Sequence, residues 1–337
     1  MDASRERDYF FDNFRFILIF LVVLAHFISP LSHIYQMKVL YRWIYLFHMP
    51  GMLFITGYFA KTSIKEGKLV KNKVFNFFII YAIFQTIFTL LNRGTFSIYQ
   101  SQNGLWYLQL IVIYSLMLPV LSRVKTLPML IISIVLGLLV GLDASAGHVG
   151  SLQRLLVFLP FYMAGYYSTR ENLKKLFKLR YVLIGVLVLI LIGYLQYKYF
   201  SIFSYSLNLS TGRYAYKAMK LKYTTGIIAR FCWYIISFAM IFALMTITPK
   251  KKNIFSKFGG RTLPVFLLHL LLIIVIRKYT DFFVLLRDLP ELWASIIIVG
   301  IAIFVTLIFS LKIFSYPFDF IMKLKFKYLL KGEDKND

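Results

Sequence analysis

Long apolar blocks separated by short polar segments dominate the pattern of this 337-residue chain. A helix that crosses the hydrocarbon core of a bilayer needs about 20 mostly apolar residues. By that measure the pattern predicts ten transmembrane helices, at about residues 14–33, 43–60, 74–92, 104–122, 126–142, 151–169, 181–197, 226–248, 262–276 and 292–311. The sequence has no internal repeat and no low-complexity tract. We therefore expect an all-α polytopic membrane protein that forms a single domain over residues 1–337.

The polar connections orient these predicted helices. With the N-terminus in the cytoplasm, about two thirds of the 39 Lys and Arg residues fall on the cytoplasmic side, as the positive-inside rule requires. The richest such connections are KTSIKEGKLVKNK at 61–73 and KKKNIFSKFGGR at 250–261. Both termini are then cytoplasmic, which agrees with an even number of spans. The long outer connection 198–225 mixes aromatic residues with cations, and we expect it to lie along the interface as an amphipathic element.

Composition narrows the function. Hydrophobic residues make up 59% of the chain and charged residues 16%, whereas soluble domains carry about 25% charged residues. A net charge of +25 would suggest nucleic acid, but the cations cluster between apolar blocks, which is typical of contact with anionic membrane lipid. We expect a multi-pass protein of the cell membrane with no nucleic-acid partner. A single cysteine and unpaired histidine spacing also predict no metal site.

The first apolar block contains DNFRFILIFLVVLAH at residues 12–26, which places charged and titratable groups at membrane depth. From Arg15 to His26 an α-helix turns about 20° past three full turns. Asp12 and His33 fall within about 40° of the same line. Such groups are costly in hydrocarbon, so this polar stripe should face the bundle interior or a water-filled cavity. Arg15 and His26 are about 16 Å apart along the axis, so they cannot touch.

The second predicted helix contains FHMPGMLFITGYF at 47–59. Its His48 lies at about the same depth as His26, on a neighbouring helix. Pro50 and Gly51 should weaken this helix locally, as occurs where a membrane helix lines a cavity.

Arg154 and Arg230 lie at membrane depth in the outer half of the predicted bundle, where they could orient an acceptor or stabilise an oxyanion. His269 enters from the cytoplasmic side, and we favour a packed, structural role for it. The imidazole of His26 has the chemistry of a general base. The chain has no GxSxG elbow, HExxH motif or P-loop, so hydrolase and nucleotide chemistries of those kinds lack support.

Five segments in order resemble the acyltransferase-3 family of integral membrane acyltransferases, and within it the branch of fucose 4-O-acetylases. In DNFRFILIFLVVLAHF, Arg15 and His26 reproduce the family's pattern of an arginine, ten residues and a histidine. The other four segments are FHMPGMLFITGYF, LWYLQL at 105–110, RLLVFLPFYMAGYY at 154–167 and FGGRTLPVFLLH at 258–269.

The resemblance implies transfer of an acyl group, most often acetyl from acetyl-CoA, to a hydroxyl of a cell-surface glycan. It implies that His26 activates the acceptor hydroxyl, with Arg15 essential and Asp12 in support. The basic loop after the second helix is associated in relatives with acyl-CoA binding, often through an arginine pair. In this chain the loop carries lysines instead, which we assign to the donor: Lys68, Lys71 and Lys73.

We assign a second set of residues to the acceptor: His48, Trp106, Arg154 and Arg230. Capsule, exopolysaccharide, teichoic acid and peptidoglycan are all open as the acceptor glycan, and enzymes of glycan biosynthesis are possible partners. The acyl group and the side of the membrane on which the acceptor is modified are open as well. The main alternative function is a transporter or flippase for a lipid-linked glycan, with the polar stripe as its conduction path.

Overall fold

The computed structural model describes residues 8–65, 68–147 and 151–325. Its helices are α1 (Tyr9–Ile28), α2 (Tyr35–Tyr45), α3 (His48–Ala60), α4 (Lys71–Asn92), α5 (Trp106–Leu121), α6 (Thr126–Leu139), α7 (Leu152–Tyr167), α8 (Arg170–Lys174), α9 (Leu179–Lys198), α10 (Ser206–Thr211), α11 (Tyr223–Ile247), α12 (Thr262–Tyr279), α13 (Phe282–Arg287), α14 (Glu291–Phe309) and α15 (Lys312–Met322). Two-residue strands β1 (Ile64–Lys65) and β2 (Lys68–Leu69) form an antiparallel hairpin before α4. The predicted all-α class is confirmed.

Six helices in the described part of the chain are long and apolar enough to cross a membrane: α1, α4, α9, α11, α12 and α14. Shorter apolar helices, α5 and the segment Thr126–Leu142, accompany them. Large apolar side chains point away from the protein on the outer helices; Leu187 of α9 is 62% exposed and Phe304 of α14 is 63% exposed. Lipid rather than water suits such a surface, so the chain is a polytopic membrane protein. The total of ten spans stays a prediction.

Helix α1 lies at the centre, packed against α3, α12 and α14. It begins at Tyr9 because Asp8 caps it, accepting a hydrogen bond from the backbone N–H of Phe10 at 3.2 Å. It ends at Ile28, just before a short turn that contains Pro30. His33 therefore lies beyond the helix and is exposed, so it does not extend the polar stripe.

The predicted span 43–60 is divided in the structure, because the chain breaks between α2 and α3 at Leu46 and Phe47. The carbonyl freed at Leu46 accepts a hydrogen bond from Ser237 Oγ at 2.5 Å. Pro50 does not cause this break: it sits in the first turn of α3, where a missing N–H costs nothing. The break makes His48 the first residue of α3.

The middle of the connection 198–225, at residues 206–219, packs against the protein. The ring of Tyr216 is fully buried, and its hydroxyl donates to the carbonyl of Leu138 at 2.8 Å. Cations of the same connection, such as Arg213 and Lys217, stay exposed. Tyr199, Ile202 and Tyr205 of its first part are exposed, so the position of this part along the interface stays a prediction.

Candidate active site

A cavity of about 570 Å³, the histidine cavity, is lined by residues of α1, α2, α3, α4, α5, α7, α10 and α12. The residues that line the cavity and bear on its chemistry are His26, Tyr45, His48, Trp106, Arg154, Phe266 and Arg277. The predicted His26, His48, Trp106 and Arg154 are thus brought together at one site.

The histidines of this region share one geometry. The Nδ1 atom of His26 lies 2.9 Å from the carbonyl oxygen of Val22, and Nδ1 of His48 lies 2.8 Å from that of Ile44. His269, from α12, repeats the contact with its own helix at 2.8 Å. A carbonyl oxygen can only accept a hydrogen bond, so in each neutral ring the proton belongs on Nδ1 and the lone pair on Nε2.

The second contact of His26 fits that assignment. Nε2 of His269 lies 3.2 Å from Nδ1 of His26, so the lone pair of His269 can share the Nδ1 proton with the carbonyl of Val22. This arrangement holds His26 in the tautomer whose Nε2 can take a proton. His269 is fully buried, as the favoured structural role requires, but it also packs against the candidate base. No sequence pattern indicates that contact, because 243 residues separate the two histidines.

The opposite side of the histidine cavity combines a cation with a flat aromatic surface. The guanidinium of Arg154 lies 4.8 Å from the centre of the Trp106 ring, and its Nε donates to the carbonyl of Thr211 at 3.1 Å. Trp106 in turn stacks on Phe158 at 5.2 Å. These contacts fix both side chains, and the structure shows no further hydrogen bond from Arg154 to a described residue.

Arg277 was missed by sequence reasoning although it lines the histidine cavity. The predicted span stopped at residue 276, which made Arg277 a connecting-loop cation. In the structure α12 continues to Tyr279, so the last turn of the helix carries this side chain to the mouth of the cavity. Helical periodicity extended past the apolar block would have indicated it.

A smaller cavity of about 190 Å³, the Arg15 cavity, lies next to the first. Arg15 lines it with its guanidinium 3.8 Å from the centre of the Phe59 ring and 3.9 Å from the Asp12 carboxylate. Asp12 itself is buried beneath. The hydroxyls of Thr56 and Tyr107, 2.7 Å apart, add a polar pair to an otherwise largely apolar wall.

Phe266 of α12 lines both cavities and forms part of the wall between them. The ring of Tyr107 packs edge-on against it, with centres 5.2 Å apart. Arg15 and His26 therefore share one helix but serve different cavities, in agreement with their predicted separation.

The predicted donor lysines have different positions. Lys73 lines the Arg15 cavity, where its Nζ donates to Thr62 Oγ1 at 3.1 Å. Lys71 begins α4 and is exposed. Lys68 belongs to β2, and its side chain lies outside the described residues.

Arg230 lies apart from both cavities. It is fully buried and donates to the carbonyls of Gly137 at 3.3 Å and Tyr214 at 3.0 Å. Its guanidinium also lies 4.8 Å from the centre of the Tyr216 ring. These contacts join α6 to the connection before α11, and acceptor binding by Arg230 stays a prediction. Among the residues that the structure describes, no group of three or more His, Cys, Asp or Glu could hold a metal ion.

A family model described as "Acyltransferase domain", that of the acyltransferase-3 family, matches residues 8–315. The chain belongs to this family. The match includes every residue of the two cavities, so the resemblance seen in five short segments is confirmed over almost the whole chain. The fucose 4-O-acetylase-like branch stays a prediction. No curated protein and no solved structure matches the chain. The protein is a membrane acyltransferase.

Proposed function

We propose that this acyltransferase transfers an acetyl group from acetyl-CoA to a hydroxyl of a cell-surface or lipid-linked glycan, with His26 as the general base. The observation that carries the proposal is the state of His26. Its Nδ1 atom lies within hydrogen-bond distance of the Val22 carbonyl oxygen and of His269 Nε2, while the ring lines a cavity large enough for a sugar unit. An imidazole held in this tautomer is ready to accept a proton at Nε2.

The two cavities suit the two substrates. We assign the Arg15 cavity to the donor: Arg15 and Lys73 face its phosphates, the largely apolar wall holds its pantetheine arm, and the thioester end extends past Phe266 to His26 in the histidine cavity. Lysine binds phosphate as a point charge, without the two-pronged fork of arginine. The histidine cavity offers the Trp106 face for a sugar ring and Arg154 for its polar groups.

The reaction needs one proton transfer in each direction. Nε2 of His26 takes the proton of the acceptor hydroxyl while the oxygen attacks the thioester carbonyl. The tetrahedral intermediate carries a negative oxygen, which Arg154 could stabilise. Collapse breaks the carbon–sulfur bond, and the imidazolium returns the proton to the CoA thiolate. The acceptor leaves as an ester, and no metal is needed.

The test uses a deletion strain complemented with single variants. Each variant is then assayed in the cell membrane, together with the glycan-biosynthesis enzymes that are its possible partners. His26→Ala should slow acetyl transfer by a factor of about 10² to 10⁴. The O-acetyl content of the surface glycan, measured by NMR, should fall as a result. His33→Ala is the matched control, because this histidine is exposed beyond the end of α1.

Two outcomes would overturn the proposal. Wild-type acetylation by a His26→Ala protein present at normal level would remove His26 from the chemistry. Loss of glycan export in the deletion strain, with unchanged acetyl content in the glycan that remains, would instead favour the transporter.

A further inference from the structure

A third space, the amide chamber, adjoins the histidine cavity and has a volume of about 460 Å³. The two spaces share Asn103 and Arg154. Beyond these, the chamber is lined by side-chain amides and a second guanidinium, contributed by Gln100, Gln102, Gln153 and Arg213. No Asp or Glu is among the described residues that line either space. The chamber is therefore polar and positively charged.

The loop at residues 99–102 forms one wall of the chamber and is held in place by buried side chains. The side chain of Gln85, fully buried in α4, donates to the carbonyl of Gln100 at 2.8 Å and accepts from the backbone N–H of Gln102 at 2.9 Å. Gln109 of α5 donates to the carbonyl of Tyr99 at 3.0 Å. Two buried amides thus fix the loop, so its side chains are pre-arranged for a ligand.

Gln153 supplies the observation that points to a ligand. It is only 1% exposed and lines the chamber, yet neither its Nε2 nor its Oε1 has a hydrogen-bond partner within the described residues. Buried amides are nearly always paired, because an unpaired one loses its bonds to water without replacement. A ligand with adjacent donors and acceptors would satisfy both atoms.

We propose that the amide chamber binds an acidic sugar unit of the acceptor, next to the unit that is acylated in the histidine cavity. Amides both donate and accept, as sugar hydroxyls require. Guanidinium groups pair with a carboxylate or a phosphate on the same sugar. The described residues that line the chamber offer amides, hydroxyls and guanidinium groups rather than aliphatic side chains, so they suit a saccharide better than a lipid chain. The identification of this ligand as the acceptor rests on the proposed function.

The test measures binding to the purified full chain in nanodiscs, without acyl donor. The acidic probes are tri-galacturonic acid and glucose 1-phosphate; the neutral controls are the methyl ester of the trisaccharide and glucose. Saturation-transfer NMR should show at least one acidic probe binding about tenfold more tightly than its neutral counterpart. Equal binding of the neutral and acidic probes, or saturable binding of neither acidic probe, would overturn the proposal.

Arg213→Gln tests the charge. Arg213 is exposed, so its replacement should leave the fold intact while removing most of the preference for the acidic probe. Lys217→Gln is the matched control, since Lys217 is an exposed cation of the same connection that does not line the chamber. If both variants weaken binding equally, the probe responds to the overall charge of this surface, and the assignment of the probe to the amide chamber is wrong.

Gln153→Met tests the unpaired amide. Removing a buried group that lacks partners should raise the melting temperature of the ligand-free protein and weaken the binding of the acidic probe. A lower melting temperature together with unchanged binding would contradict the role of Gln153. Dioctanoyl phosphatidylglycerol serves as a competitor: if it displaces the sugar probe in the wild type and is itself weakened by Arg213→Gln, the chamber is a lipid-headgroup site.

Failure of this inference and failure of the proposed function give different results. A His26→Ala protein that binds the acidic probe normally but never acetylates supports both. Normal acetylation of an acidic glycan by Arg213→Gln, with unchanged probe binding, would rule out the chamber as a sugar site but would not contradict the proposed reaction. If the wild type binds the probe but transfers no acetyl group, the sugar site is supported and the proposed reaction is wrong.

Discussion

The histidine cavity and the Arg15 cavity draw on the same helices and differ in chemistry. Helices α1, α3, α4, α5, α7 and α12 contribute to both. One cavity gathers imidazole and guanidinium groups, whereas the other is mostly apolar with Arg15 and Lys73. The difference shows how one set of helices can form two distinct chemical environments at different depths. Eleven residues along α1 are enough to move from one environment to the other, with Phe266 between them.

Both cavities depend on the close approach of α3 and α7. A Cβ atom at Gly57 would lie 1.9 Å from the carbonyl oxygen of Tyr162, and one at Gly165 would lie 1.9 Å from that of Phe54. Small residues allow this backbone contact in membrane proteins. Because the obstacle is backbone, Gly57→Ala should separate the helices and cost about 2–3 kcal/mol, with loss of both ligand sites. Thermal unfolding in detergent measures the loss.

Gly300 of α14 is the matched control, since no atom of the described residues lies within 4 Å of a Cβ added there. Gly300→Ala should keep activity and gain up to about 1 kcal/mol of stability, because it restricts the unfolded chain. Equal melting temperatures for Gly57→Ala and the wild type would show that α3 and α7 can separate without cost.

The sequence predicted the helices better than it predicted the contacts between them. Apolar blocks and polar connections placed most helix ends within a few residues, because a span is decided by its own composition. The division of the second span at Leu46 was missed, because it depends on Ser237 from a distant helix. For the same reason the pattern on α1 indicated His26 and Arg15, while the contact with His269 required the packed structure.

The histidine cavity alone should respond to changes at His269. His269→Leu removes one of the two acceptors for the Nδ1 proton of His26, and kcat should fall about tenfold, which is the value of one hydrogen bond of 1–1.5 kcal/mol. His269→Gln keeps an acceptor oxygen and should recover most of that loss. The KM for acetyl-CoA should be unchanged in both, since the donor is assigned to the other cavity.

A purely structural His269 would give a different pattern. Both variants would then lose folded protein in parallel, with no difference in kcat per folded molecule. Such a result would leave His26 oriented by the carbonyl of Val22 alone.

The smallest effect is expected in the Arg15 cavity, where neighbouring lysines provide an internal comparison. Lys73 lines the cavity and Lys71 is exposed two residues earlier on α4. Lys73→Gln should raise the KM for acetyl-CoA about three- to fivefold, the value of a partly solvated charge pair, and Lys71→Gln should not. Salt screens such an interaction, so the ratio between the two variants should shrink as ionic strength rises. If Lys71→Gln raises KM as much as Lys73→Gln, the donor phosphates are held by the charge of the whole loop rather than within the Arg15 cavity.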